Sequence, residues 1–121
     1  MGETKTIQEK ISFIKIYDPD GAGRLERLLG KKDDLKKGNV YGEKFTERQF
    51  SLVFLTLLDS ALERARILEM LAGGEDTVYG LSEKLNTDKN TIFACIRELM
   101  RKNLVEISGH NERYAIFKRK M

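Results

Sequence analysis

Apolar positions between Val78 and Phe117 follow two rhythms. Val78, Leu81 and Leu85 recur at the spacing of one helical face, and the polar Asn86-Thr87-Asp88 interrupts them. A second helical stripe then runs through Ile92, Ile96, Leu99 and Met100. Asp88 stands just ahead of it, where a carboxylate can cap free backbone amides, so a helix is predicted over residues 88–102. Beyond it, Leu104-Val105-Glu106-Ile107 and Arg113-Tyr114-Ala115-Ile116-Phe117 have strand composition, and the turn residues Ser108-Gly109-His110-Asn111 lie between them. The pattern predicts helix, tight turn, helix and hairpin, with the hairpin turn near Gly109 to Asn111.

Upstream the pattern is less regular. Thr46 and Gln49 have capping-box spacing ahead of Phe50, Leu52, Val53, Phe54, Leu55, Leu57 and Leu58. Apolar residues then occupy nearly every angle around the axis, and such a helix must be covered on more than one side. A second subunit is the natural cover in so small a chain, with a central helix wrapped by the N-terminal half as the alternative. Ser60 and Glu63 repeat the capping-box spacing, which suggests a fresh helix over 61–71. Its stripe would be Leu62, Ala65, Leu68 and Leu71, with Glu63, Arg64, Arg66 and Glu69 facing away and Gly73-Gly74 as its stop. One continuous helix over 46–71 is the other solution, since no Gly or Pro interrupts it.

In the first part of the chain, Ile11, Phe13, Ile14, Ile16 and Tyr17 favour a strand by their β-branched and aromatic content. A helix from Ile7 with Ile11 and Ile14 on its face is the alternative. Asp18-Pro19-Asp20-Gly21 is expected to turn, and its acids lack the later ligands of a calcium loop. A short helix over 24–29 closed by Gly30, a solvated charged stretch over 31–37 and a loop over 39–44 complete the expectations.

The segment over 77–117 resembles the winged helix-turn-helix of prokaryotic transcription regulators of the MarR and ArsR kind. The run Arg101-Lys102-Asn103-Leu104-Val105 resembles the family's junction from recognition helix to first wing strand, with Asn103 where the family usually has Gly. Asn is the next best residue for a left-handed helix end. The resemblance implies that the helix over 78–85 crosses the DNA backbone and that the helix over 88–102 enters the major groove. Phe93-Ala94-Cys95 stands where the family often carries Ser, Arg or His, and none of these three makes a bidentate base contact. The DNA-binding candidates are Lys89, Asn90, Thr91, Arg97, Arg101 and Arg113. Lys89, Arg101 and Arg113 are assigned to phosphate, and Asn90 and Arg97 to base reading.

Composition changes this picture little. The net charge of +3 is too small to argue for a nucleic-acid partner by itself. Its placement says more: from Thr77 onward there are nine Lys and Arg against five Asp and Glu, including the basic Lys118-Arg119-Lys120. A single Cys excludes an intrachain disulfide, and one Cys with one His leaves little for a catalytic triad or a zinc cluster. Cys95 reads as a small buried hydrophobe, with a redox switch as the sharper alternative. His110 is expected in the wing turn. The apolar run over 50–58 is too short to span a membrane. The expected fold is therefore α+β and mainly helical, a winged helix-turn-helix with an N-terminal extension that contains a candidate strand and a long apolar helix. Residues 1–45 form the extension, and residues 46–121 the apolar helix with the winged-helix domain. The expected function is transcription regulation by binding double-stranded DNA as a cytoplasmic homodimer. No enzyme activity, cofactor, metal or membrane is implied. A winged helix that docks another protein through Phe93 and Ala94 is the alternative.

Overall fold

The computed structural model describes residues 6–31 and 47–120. Among them are five helices and one two-stranded antiparallel sheet, an α+β arrangement that is mainly helical. The order is α1 (Ile7–Tyr17), α2 (Pro19–Gly30), α3 (Glu47–Ala72), α4 (Val78–Leu85), α5 (Lys89–Arg101), β1 (Val105–Asn111) and β2 (Tyr114–Arg119). The chain divides into two compact units, residues 1–62 and 63–121.

In the first unit, the segment expected as a strand is helix α1. Local capping overrides the β-branched content. The Glu9 amide donates to Thr6 Oγ1 at 3.1 Å, and the Thr6 amide donates to Glu9 Oε1 at 3.2 Å. This reciprocal box satisfies amides that a helix start leaves open. Helical winding also places Ile11 and Ile14 together in the core. The turn expected over 18–21 is shorter still. Asp18 closes α1, its amide donating to Ile14 O at 2.7 Å. It also starts α2, accepting the Gly21 amide at 3.1 Å. Pro19 occupies the first helical position, where its missing N–H costs nothing. The helix expected over 24–29 therefore begins at Pro19, and it packs against α1. Ile11 and Ile14 of α1 and Ala22 and Leu25 of α2 are buried. The stretches expected as solvated charge and loop over 32–44, and the Thr46 half of a capping box, lie outside the described residues.

Helix α3 runs unbroken from Glu47 to Ala72, so no joint forms at Asp59-Ser60. Ser60 costs a mid-helix position little, and continuous backbone hydrogen bonding outweighs the second cap. Phe50, Phe54 and Leu58, offered above as part of a subunit interface, are 4 %, 2 % and 0 % exposed within the single chain. The exposed apolar residues are instead Leu52, Val53, Leu55 and Leu57. Further along, Ala65, Ile67, Leu68 and Leu71 are buried in the second unit. Glu63 and Arg64, expected to face away, are half-buried, whereas Arg66 and Glu69 are exposed.

In the second unit, α4 and α5 occupy nearly the predicted spans. Asn86 ends α4 with a left-handed backbone at φ 50°. The Thr87 amide returns to Ser82 O at 3.0 Å, and the Ser82 hydroxyl donates to Thr87 O. Asp88 accepts from the amides of Asn90 and Thr91 and so caps α5. Asn103 takes the expected left-handed conformation, φ 66°, and leads into β1. The hairpin turn, however, is at Glu112-Arg113, not near Gly109 to Asn111. Asn111 pairs with Tyr114, His110 with Ala115 and Gly109 with Ile116. Gly109 serves instead at an irregularity in the register after Ile107, and Glu112, at φ 58°, supplies the left-handed turn residue. His110 is thus a strand residue. Asp76, ahead of α4, forms a single-residue bridge to Phe117, with hydrogen bonds of 2.8 and 3.1 Å. The core of this unit includes Leu81, Ile92, Ile96, Leu99, Val105 and Phe117.

Gly80 sets a close approach within this unit. A Cβ there would lie 1.9 Å from Asp76 Oδ1. That oxygen accepts the Thr77 amide at 2.8 Å, and the other lies 2.7 Å from Lys84 Nζ. Helix propensity alone favours Gly80→Ala by about 1 kcal/mol. The displaced carboxylate should reverse that sign, giving a net loss of ~1–3 kcal/mol, the range for overpacking. Thermal unfolding should report a lower Tm for Gly80→Ala; an unchanged or higher Tm would contradict this packing.

Candidate nucleic-acid interface

Five of the six sequence-predicted residues lie on α5. Its buried stripe of Ile92, Ile96 and Leu99 fixes which face remains outside. Lys89, Asn90, Thr91, Ala94, Arg97 and Arg101 are all exposed. Arg113 is exposed at the hairpin turn.

The charged groups are not equally available. Lys89 places its ammonium 4.3 Å from the ring centroid of Tyr79 at the start of α4. Tyr79 in turn meets Tyr114 edge-on, with centroids 4.7 Å apart. These contacts bring the starts of α4, α5 and β2 to one surface, beside the Arg113 turn. The aromatic face favours a cation by electrostatic attraction, worth ~0.5–1 kcal/mol at an exposed site, so Tyr79 biases Lys89 towards this surface. Arg97 lies 5.9 Å from the Phe93 ring centroid, and Phe93 itself is 49 % exposed. Arg101 is paired with Glu98 at 3.5 Å. Exposed pairs of this kind are worth little, ~0–1 kcal/mol, so Arg101 can exchange Glu98 for another anion. Asp88 already accepts the first amides of α5. Its carboxylate fills the position that a phosphate would need at this helix start, leaving side chains as the anion ligands of α5.

Tyr79 and Tyr114 are functional candidates that the sequence reading missed. Tyr79 falls off the Val78–Leu81–Leu85 stripe, which was a sign of exposure, but its meeting with Tyr114 needs the fold. Their hydroxyls, the Asn90 amide and the Arg97 guanidinium give this surface hydrogen-bond donors and acceptors beside its cations.

Cys95 is half-buried beside the Ile92–Leu99 stripe. Burial raises the thiol above its ordinary pKa; nearby Glu63 pushes it the same way, and Arg64 opposes both. The residue is therefore held as the thiol at neutral pH, unlike reactive cysteines, which sit in electropositive sites. Among the described residues no group of three or more His, Cys, Asp and Glu side chains could hold a metal ion. None of the described helices is long and apolar enough to cross a membrane.

No family model, curated protein or solved structure matches the chain.

The Cys95 environment is directly measurable. In the folded protein at neutral pH the thiol should react with a disulfide reagent more slowly than in the unfolded chain, because the reactive species is the thiolate and burial disfavours it. The folded state holds its proton more tightly than the unfolded state. The associated stability is therefore full below the unfolded thiol pKa of about 8.5 and is lost as pH rises towards the folded value. Equal reactivity before and after unfolding would contradict the assignment.

Proposed function

We propose that residues 63–121 form a winged helix-turn-helix that binds double-stranded DNA, with α5 as the reading helix and the β1–β2 hairpin as the wing. The observation that carries this is the exposed face of α5, where Asn90, Arg97 and Arg101 lie opposite the buried stripe and Lys89 lies over the Tyr79 ring. In this role α4 crosses the backbone, as in other helix-turn-helix proteins. Lys89, Arg101 and Arg113 neutralise phosphates, and Asn90 and Arg97 reach base edges. Thr91 adds a hydroxyl at the same end of the helix.

Ala94 at the centre of the face makes base reading sparse. A homodimer on two half-sites about one helical turn apart recovers the specificity that one subunit lacks. Such a protein regulates transcription without chemistry of its own, so the proposal includes no enzyme activity and no cofactor. A cytoplasmic location suits the single free thiol and the DNA partner.

The exposure of Phe93, next to an exposed Ala94, favours a second reading: α5 docks an apolar partner protein. Fold does not choose between the two.

Substitutions on α5 separate them. Arg97→Ala should cost ~1–3 kcal/mol on a preferred sequence and relax base choice at one position. Arg101→Ala should weaken all sequences alike and flatten the salt dependence by about one charge. Competition against random DNA distinguishes these outcomes. If the double variant binds DNA as tightly as the parent, α5 does not read DNA; loss of a protein partner on Phe93→Ala would then support the docking role.

A further inference from the structure

We propose that a second copy of the chain packs antiparallel, about a two-fold axis, on the α3 face formed by Leu52, Val53, Leu55 and Leu57. These side chains are 62 %, 46 %, 43 % and 47 % exposed, while Phe50, Phe54 and Leu58 fill the opposite, buried side of the same helix. This deepens the homodimer reading and rests on it, but it does not depend on DNA binding.

Three features identify the occupant. First, the hydroxyl at the centre of the face is already satisfied. Thr56 lies there, and its hydroxyl donates to Leu52 O at 2.7 Å, so it presents a methyl group and leaves no donor unsatisfied under a lid. Second, the face is self-complementary. In an antiparallel two-fold pair, residues before the midpoint on one helix oppose residues after it on the other. Leu52 then meets the second copy's Leu55, and Val53 meets the second copy's Val53, with the two Leu57 side chains flanking that contact. Third, the charges at the two ends are opposite. Arg48 lies one turn before Leu52, and Asp59 lies one turn after Leu55, on the same edge of the face. Both are exposed, and neither has an ion-pair partner among the described residues. The two-fold operation brings Arg48 of each copy to Asp59 of the other, twice per dimer. A parallel pair would instead leave both Arg48 side chains at one end and both Asp59 side chains at the other, on opposite edges of the seam, with no opposite charges meeting.

Such an arrangement closes upon itself, so it gives a dimer and not a filament. The leucines and Val53 supply the affinity. The charge pairs at the rim select direction, because rim charges contribute more to register and partner choice than to strength.

Sedimentation of the full chain without DNA tests this. The parent should be a dimer at micromolar concentration. Arg48→Glu and Asp59→Arg should each weaken the dimer roughly tenfold, because each change sets like charges together at two symmetric places. Combining them restores opposite charges, so the R48E/D59R double variant should return to within about threefold of the parent. Leu52→Lys should give folded monomer, with helical circular dichroism retained because the position is exposed. A monomeric parent overturns both the homodimer reading and this interface. A dimer indifferent to Leu52→Lys overturns the interface and leaves the homodimer reading standing. A dimer that needs Leu52 but is not rescued by the charge swap overturns the antiparallel arrangement.

Discussion

Asn86 turns the backbone left-handed, and two residues later Asp88 already caps the next helix. The link between α4 and α5 is therefore so short that few angles between the helices are open to it. Hydrogen bonds from Thr87 and Ser82 across the corner remove most of what freedom remains. With that corner set, Leu81 and the Ile92–Ile96–Leu99 stripe share one core, and the opposite face of α5 is committed to solvent. Asn103 then sends the chain into β1, and Phe117 on β2 is tied back to Asp76 before α4. The exposed surface of α5 is a consequence of these local constraints.

Most of this second unit was legible in the sequence because its signals agree with one another. Helical spacing, the Asp88 cap and the turn chemistry of Asn86 and Asn103 all specify the same elements. The exact hairpin turn was not legible. Gly109 and Asn111 are turn formers, yet register and a local irregularity place Glu112 at the left-handed position instead. Composition misled at the N-terminus as well. Ile and Phe suggest a strand, but the Thr6–Glu9 box and the double role of Asp18 make two helices. In α3 the apolar content was read correctly while its division between inside and outside was not. Which of its residues the chain itself covers depends on tertiary packing, so Phe54 is buried and Leu52 is exposed.

The candidate interface was legible as a set of residue types and less so as an arrangement. Lys89, Asn90, Arg97 and Arg101 follow from helical periodicity alone. Their environments do not. Tyr79 beneath Lys89, Tyr114 beside Tyr79, and Glu98 beside Arg101 are products of the fold. The Tyr79 contact biases towards this surface a cation that on a bare helix would be one of several equivalent lysines. Asp88 works in the opposite sense, since the carboxylate that starts α5 also occupies its amide terminus. Attraction of an anion to this surface therefore depends on side-chain cations, against a net charge of only +3 for the whole chain.

Such limited charge makes ionic strength the sharpest probe of the DNA-binding proposal. The measurement is the equilibrium affinity of the full chain for a duplex DNA pool across a series of salt concentrations. Each phosphate neutralised contributes a slope of about −0.9 to the logarithm of affinity against the logarithm of salt. Phosphate contacts from Lys89, Arg101 and Arg113 predict a linear fall with a slope of roughly −3 per chain. Absence of duplex binding at low salt, or binding whose strength does not change with salt, would contradict the proposed function.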